Sequence, residues 1–266
     1  MNSSVVKALL ITLIVSSWAF GQTATTTSNT SLPFIDGETL TYEGKISKII
    51  QGIAVADLTL TIAKAKEGDD YLIKADARSK GTLLKLFRFS FIQEVQSSVD
   101  SDNFRALRTV KHDVQKERVR NSEALFDYGE RRVTYVETDP NEPMRPPRRI
   151  ASEIDEASHD LISGVYSLRM MPLAVGKTFR MSVSDSGLVY EIPIRVTARE
   201  QLKTIFGKQW CYRVEPEVFG KDRLIEREGK MIMWFTDDAR RLPVRSQVHS
   251  PYGKIEIKLK SAKNLK

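Results

Sequence analysis

Three histidines, one cysteine and a few paired carboxylates are the groups in this sequence with the capacity for chemistry. His112, His159 and His249 lie far apart, and none stands in an H-x-H or H-x-x-x-H spacing. A zinc site needs three or four N, S or O ligands, usually including a close pair. The spacing therefore offers no metal site. His112 and His249 fall on the polar side of predicted strands, where an imidazole is solvated. His159 precedes a predicted helix as a neighbour of its cap. Cys211, the single cysteine, alternates with Trp210 and Tyr212 and so belongs to the face opposite those aromatics. To act as a nucleophile it would need a base and an electropositive pocket, and alone it forms no internal disulfide. Asp69-Asp70 and Asp237-Asp238 are adjacent pairs. Neighbours in a strand point to opposite faces, and in turns such residues hold backbone N–H groups, so neither pair reads as an acid and a base. Ser163 sits inside the predicted helix without a G-x-S-x-G elbow, and no Gly-rich phosphate loop is present. Arg145-Pro146-Pro147-Arg148-Arg149 is a cationic cluster suited to a phosphate or headgroup, or else a solvated loop. The expectation is a protein without catalytic residues, metal or cofactor.

What remains is apolar surface. Phe87, Phe89, Phe91, Trp210, Met231, Met233 and Trp234 gather large side chains near residues 82–91 and in the late hairpins. If a half-open barrel leaves part of this lining uncovered, it makes a groove for an apolar or lipid-like ligand. Phe91, Trp210, Met233 and Trp234 are then the ligand-binding candidates. If a helix fills the space, the same residues are core. Both readings stand at this point.

The elements that must position these residues are mostly strands. Leu40, Tyr42 and Ile46 alternate with polar neighbours, as do Leu58, Leu60 and Ile62, and then Tyr71, Ile73, Ala75 and Ala77. Period two marks a strand half buried against a core. Weaker alternation covers 91–99, 107–114, 124–128 and 132–136. Leu188 to Ala198 alternates strictly after the turn at Ser184-Asp185-Ser186-Gly187. Trp210, Tyr212, Val214 and Val218 form one face of a further strand. The segments 231–235, 242–248 and 255–259 complete the set. Short connections imply antiparallel neighbours. Two segments break the rhythm. Residues 139–154 hold four of the ten prolines with clustered charge, which predicts a mobile loop. Leu161, Ile162, Val165, Tyr166, Leu168 and Met171 have helical spacing, with a cap at Ser158 or Asp160 and a stop before Pro172. The fold class is mainly β: a large curved antiparallel sheet or half-open β-barrel, with one helix over about 158–171 packed on its concave face.

Lys7, the apolar run Ala8–Val15 and the small residues Ala19 and Gly21 form a signal-peptide pattern over 1–21, shorter than a membrane span. No cysteine follows the run to accept a lipid. Residues 22–33 (QTATTTSNTSLP) read as a disordered tether, and 34–266 as a single domain. With Lys7 removed, 40 basic and 34 acidic side chains remain, for a net charge of about +6. A mildly basic exported domain suits anionic headgroups or acidic polysaccharide. The expected localisation is periplasmic or extracellular, peripheral to the outer membrane, with no nucleic-acid partner and no transmembrane segment once the signal is gone.

A series of short signals then aligns in order: Phe34-x-x-Gly37-Glu38-x-Leu40-x-Tyr42; Asp160-Leu161-Ile162-Ser163-x-x-Tyr166-x-Leu168-Arg169; Pro172-Leu173-x-x-Gly176; Phe206-Gly207; and Met233-Trp234-Phe235-Thr236-Asp237-Asp238-x-Arg240-Arg241-Leu242-Pro243-Val244. Together they resemble the bacterial exported family catalogued as domain of unknown function 3108, over about 32–259. The resemblance implies an envelope protein with a curved antiparallel sheet similar in shape to lipoprotein-carrier folds. It implies no activity and no catalytic residues. Three functions follow as expectations: a carrier of an apolar or lipid-like ligand; an envelope-assembly or polysaccharide-associated scaffold; and, third, a hydrolase.

Overall fold

The computed structural model describes residues 32–47, 52–251 and 253–266. The signal-peptide pattern and nearly all of the tether lie outside the described residues. The strands are β1 (Glu38–Ser47), β2 (Ile53–Lys64), β3 (Tyr71–Ser79), β4 (Phe91–Val99), β5 (Ala106–Gln115), β6 (Arg118–Asp127), β7 (Arg132–Thr138), β8 (Arg148–Glu153), β9 (Ser158–Asp160), β10 (Thr178–Asp185), β11 (Leu188–Thr204), β12 (Gly207–Pro216), β13 (Lys230–Thr236), β14 (Pro243–Ser250) and β15 (Gly253–Lys263). The helices are α1 (Gly81–Phe87) and α2 (Leu161–Met170).

All fifteen strands join one sheet in the order β8-β7-β6-β5-β4-β3-β2-β1-β15-β14-β13-β12-β11-β10-β9. Every neighbouring pair is antiparallel except β9 with β10. The sheet curls without closing its ladder. Near the seam, Ser152 Oγ on β8 donates to the Gly187 carbonyl in the β10–β11 turn at 2.7 Å. Gly187 fits there because it has no Cβ: one would stand 2.6 Å from the Tyr135 Cβ and 2.9 Å from the Ile150 Cβ. Its φ of +80° also lies in the left-handed region that favours glycine.

The alternating residues of β1, β2 and β3 turn Leu40, Tyr42, Leu58, Leu60, Ile62 and Ile73 inward, where they join Val183, Ile192, Met231, Phe235, Val248 and Ile257. α2 crosses this interior. Its start is a capping box: Asp160 Oδ1 accepts from Ile162 N and Ser163 N at 2.8 and 2.9 Å, and Ser163 Oγ accepts from Asp160 N at 3.0 Å. At its end Arg169 is fully buried against Glu38 of β1. Its guanidinium also donates to the carbonyls of Pro33 and Arg240. A smaller apolar cluster, Ala106, Ala124, Phe126, Val133, Tyr135 and Ile154, occupies the arm made by β5–β8.

Some expectations need correction. Ser158–Asp160 is a short parallel strand, and the helix starts after its Asp160 cap. Residues 148–153, read as loop, are strand β8, because every backbone N–H beyond Pro147 is free to join the ladder with β7. Residues 81–87, whose apolar run carried no clear period, form α1. Val214 is fully buried while Trp210 and Tyr212 stay partly exposed, and the β11–β12 register shifts opposite it, between Val196 and Ala198.

Candidate functional site

The inner face changes character at β4. Residues directly opposite across a ladder share a face, so the buried Gln93, Val95 and Ser97 of β4 identify their inward partners on the arm. One row runs Ser97, Thr109, Ala124, Tyr135 and Ile150. The next runs Val95, Lys111, Ser122, Glu137 and Arg148. A third runs Gln93, Asp113 and Arg120. Side chains of this kind are not packed in an apolar interior. They line a cleft.

Its inner part lies between the arm, the first turn of α2 and the β10–β11 hairpin. Val95, Ala124, Phe126, Leu161 and Ile162 give it apolar walls. Its outer part shares Gln93, Lys111, Ser122, Tyr135 and Ser186 with the inner one, and adds Arg118, Arg120 and Arg148. Apolar walls thus grade into a cationic mouth.

The acidic groups of the cleft are largely committed within the protein. Asp160, besides capping α2, accepts from Ser97 Oγ and, at 2.7 Å, from Thr109 Oγ1. Asp113 pairs with Arg118 at 2.8 Å and accepts from Gln115. Arg120 bonds Asp139 and faces Glu137, which also accepts from the Tyr135 hydroxyl at 2.8 Å. Burial, with Glu137 alongside, pushes the Tyr135 phenol up to about 12. The side chains of Lys111 and Arg148 have no hydrogen bond or ion pair among the described residues. Gln93 Oε1 and Ser184 Oγ are buried with no hydrogen-bond partner among the described residues, and both residues line the cleft. An unpaired buried polar atom costs about 1–3 kcal/mol. A ligand or water offering a donor or acceptor there removes that cost.

The sequence-selected residues fall elsewhere. Phe91, Met233 and Trp234 are buried in the main apolar cluster, and Trp210 is half exposed with the Arg199 guanidinium 4.4 Å from its ring centre. None of the four lines the cleft. Cys211 is fully buried, and burial pushes its thiol up to about 12, which keeps it protonated and unreactive. His112 bonds Asn121 on an exposed face, and His159, next to the Asp160 cap as expected, is a buried residue of β9. Asp238 is a turn residue, accepting from Thr236 Oγ1 and the backbone N–H groups of Arg240 and Arg241. Among the described residues no cluster of His, Cys, Asp or Glu is arranged to hold a metal. The cleft residues had one signal in the sequence: in β5 and β6 neither face is cleanly apolar, because Lys111, Asp113, Arg118 and Arg120 face inward while Val110 and Val114 face out.

This sheet, curled around one helix with its edges apart, has known counterparts. The family described as "Protein of unknown function (DUF3108)" matches residues 39–260. The chain belongs to that family. Among solved structures, the β-barrel-like DUF1849 protein of Brucella abortus is similar with a TM-score of 0.61 at 10% identity, over 88% of this chain and 99% of that one. At that identity the likeness shows the fold. A Bacteroides fragilis protein described as exported, with a YmcC-like fold, has a TM-score of 0.32 at 11% identity over 87% of this chain and 98% of its own. A Parabacteroides distasonis protein described as a lipoprotein has a TM-score of 0.34 at 9% identity, over 89% and 100%. Neither score supports an argument from likeness. No curated protein matches the chain. Among the described residues no helix of this DUF3108 member is long and apolar enough to cross a membrane.

Proposed function

We propose that this protein is an exported, non-catalytic binding protein that carries an anionic amphiphile in the cleft between β4–β8 and the β10–β11 hairpin. The apolar part of the ligand lies against Val95, Ala124, Phe126, Leu161 and Ile162. Its charged head meets Lys111 and Arg148, the cations of the mouth that no carboxylate neutralises among the described residues. The observation that carries the reading is this gradation, with the unpartnered Gln93 Oε1 and Ser184 Oγ beside it. Ligand sites are concave, mostly apolar and furnished with a few polar groups that fix orientation. The cleft has that composition, and it presents no histidine or cysteine to attack a substrate. Export rests on the apolar run at 8–15 and the small residues that follow it.

The test is native mass spectrometry of the protein purified from its own envelope, compared with the denatured mass, together with titration of a fluorescent fatty acid. A lipid-sized added mass and stoichiometric uptake, weakened about tenfold by Lys111→Gln, are the expected results. A bare mass with no uptake overturns the carrier reading and favours the envelope scaffold.

A further inference from the structure

The strands of the sheet share two rims, and one of them is built around a short helix. It carries α1, the β5–β6 turn and the loop at 139–147. These are contiguous: Lys116 N donates to the Ser90 carbonyl just after α1 at 3.0 Å, and Asn141 Nδ2 donates to the Glu117 carbonyl at 2.8 Å. Along this line the protein exposes large apolar side chains. Leu84 and Leu86 are each 53% exposed, Phe87 40% and Met144 94%. Interleaved with them stand Lys85, Arg88, Lys116, Arg148 and Arg149, all exposed and without an ion pair among the described residues. The acidic groups nearby are fewer, and Glu142 and Asp139 are already paired with Arg145 and Arg120. The helix is held in place from below, where Leu83 is buried and Thr82 Oγ1 bonds the Ala54 carbonyl. The exposed turn is thus fixed by the fold.

We propose that this rim docks on an anionic lipid bilayer. Leu84, Leu86, Phe87 and Met144 enter the headgroup boundary, and the unpaired cations meet the phosphates. Apolar side chains with flanking Lys and Arg are the composition of surfaces that lie in a membrane interface. Charge complementarity selects this occupant, because each cation near an anionic leaflet strengthens binding about fivefold. The mouth of the cleft opens at the same rim through Arg118 and Arg148, so a docked molecule faces its cleft toward the lipid. The docking surface does not depend on what the cleft holds.

The experiment uses the protein purified from the envelope and sedimented with vesicles of phosphatidylcholine, with and without phosphatidylglycerol. Binding to the mixed vesicles, and weak binding to phosphatidylcholine alone, is expected. The variant Lys85→Gln/Lys116→Gln/Arg149→Gln, which spares the cleft, should weaken binding on the order of a hundredfold at about fivefold per cation. Leu84→Ser/Phe87→Ser should weaken it at least tenfold. Lys177→Gln/Lys203→Gln/Lys208→Gln, on the opposite rim, should leave it within about twofold. Fatty-acid uptake without vesicles reports the cleft independently and should be unchanged by all three. Equal binding to both vesicle types, or an equal loss from the opposite-rim variant, overturns the proposal. So does a rim that keeps its binding after Leu84→Ser/Phe87→Ser and loses it only with its charges, which would make it a site for soluble polyanions.

Discussion

Arg169 and Glu38 form a pair with no exposed side-chain surface, joined by two hydrogen bonds and surrounded by Phe34 and Tyr166. Breaking such a pair leaves a charge stranded in the interior, which costs about 3–5 kcal/mol. Arg169→Met should therefore lower stability by about that amount in urea unfolding. Glu38→Leu/Arg169→Met should lose less than the sum of the two single changes, since it strands no charge and only the Pro33 and Arg240 carbonyls lose donors. Both residues stand in the short signals that suggested the family, and the structure gives those positions a packing reason. His159 supplies a second prediction. Its complete burial lowers its pKa to about 4, against the weaker opposite effect of Asp160. The neutral form is favoured in the fold, so the unfolded chain takes up a proton first as pH falls. Its contribution is fully present above about 6.5 and is lost progressively between about 6.5 and 4. At about 1.4 kcal/mol per pH unit the loss is bounded near 3 kcal/mol. Denaturant midpoints measured across that window should fall with acid in the natural protein and flatten in His159→Leu.

The elements differ in how plainly their sequences announce them. β1–β3 and β11 were legible because one face of each is apolar and the other polar, the pattern of a strand on a filled interior. α2 was legible through its spacing and its stop at Pro172, and its cap was narrowed to Asp160 only by the hydrogen bonds to Ile162 and Ser163. The arm was read as weak strands for a physical reason: its inward residues line a cleft and are polar, so alternation could not say which face was inside. The aromatic residues chosen as ligand contacts went instead to the core, because size and apolarity signal burial before they signal binding. The seam between β8 and the β10–β11 turn has no signal of its own beyond Gly187. That glycine makes an element-scale prediction. Gly187→Ala costs about 1–2 kcal/mol for the left-handed backbone alone, and its Cβ has no room beside Tyr135 and Ile150. The hairpin must back away from β7 and β8, and fatty-acid affinity should fall together with stability. Ser186→Ala, one residue earlier, should leave stability within about 0.5 kcal/mol. Thermal unfolding and the uptake titration measure both.

Across the whole molecule, apolar burial is unevenly divided along a single hydrogen-bonded sheet. The strands on either side of β1 and β15 enclose the large cluster with α2, while β5–β8 rest on the smaller one of Ala106, Ala124, Phe126, Val133, Tyr135 and Ile154. Local opening is easiest where few buried apolar contacts oppose it, and β8 ends the ladder as an edge strand. The arm is therefore the part of the sheet that swings away from the β10–β11 turn at least cost, and this is the movement that would let an amphiphile in or out of the cleft. Native-state hydrogen exchange tests this directly. Amides of β7 and β8 should exchange through local opening, well before those of β1, β2 and β13–β15, which should require global unfolding. A bound fatty acid stabilises only the closed state, by RT ln(1 + [L]/Kd), about 2.7 kcal/mol at a hundredfold excess over Kd. It should therefore slow exchange in β5–β8 by up to about a hundredfold. Protection spread evenly over all fifteen strands would mean that the sheet opens only as a unit, and the ligand would then have to enter through the cationic mouth alone.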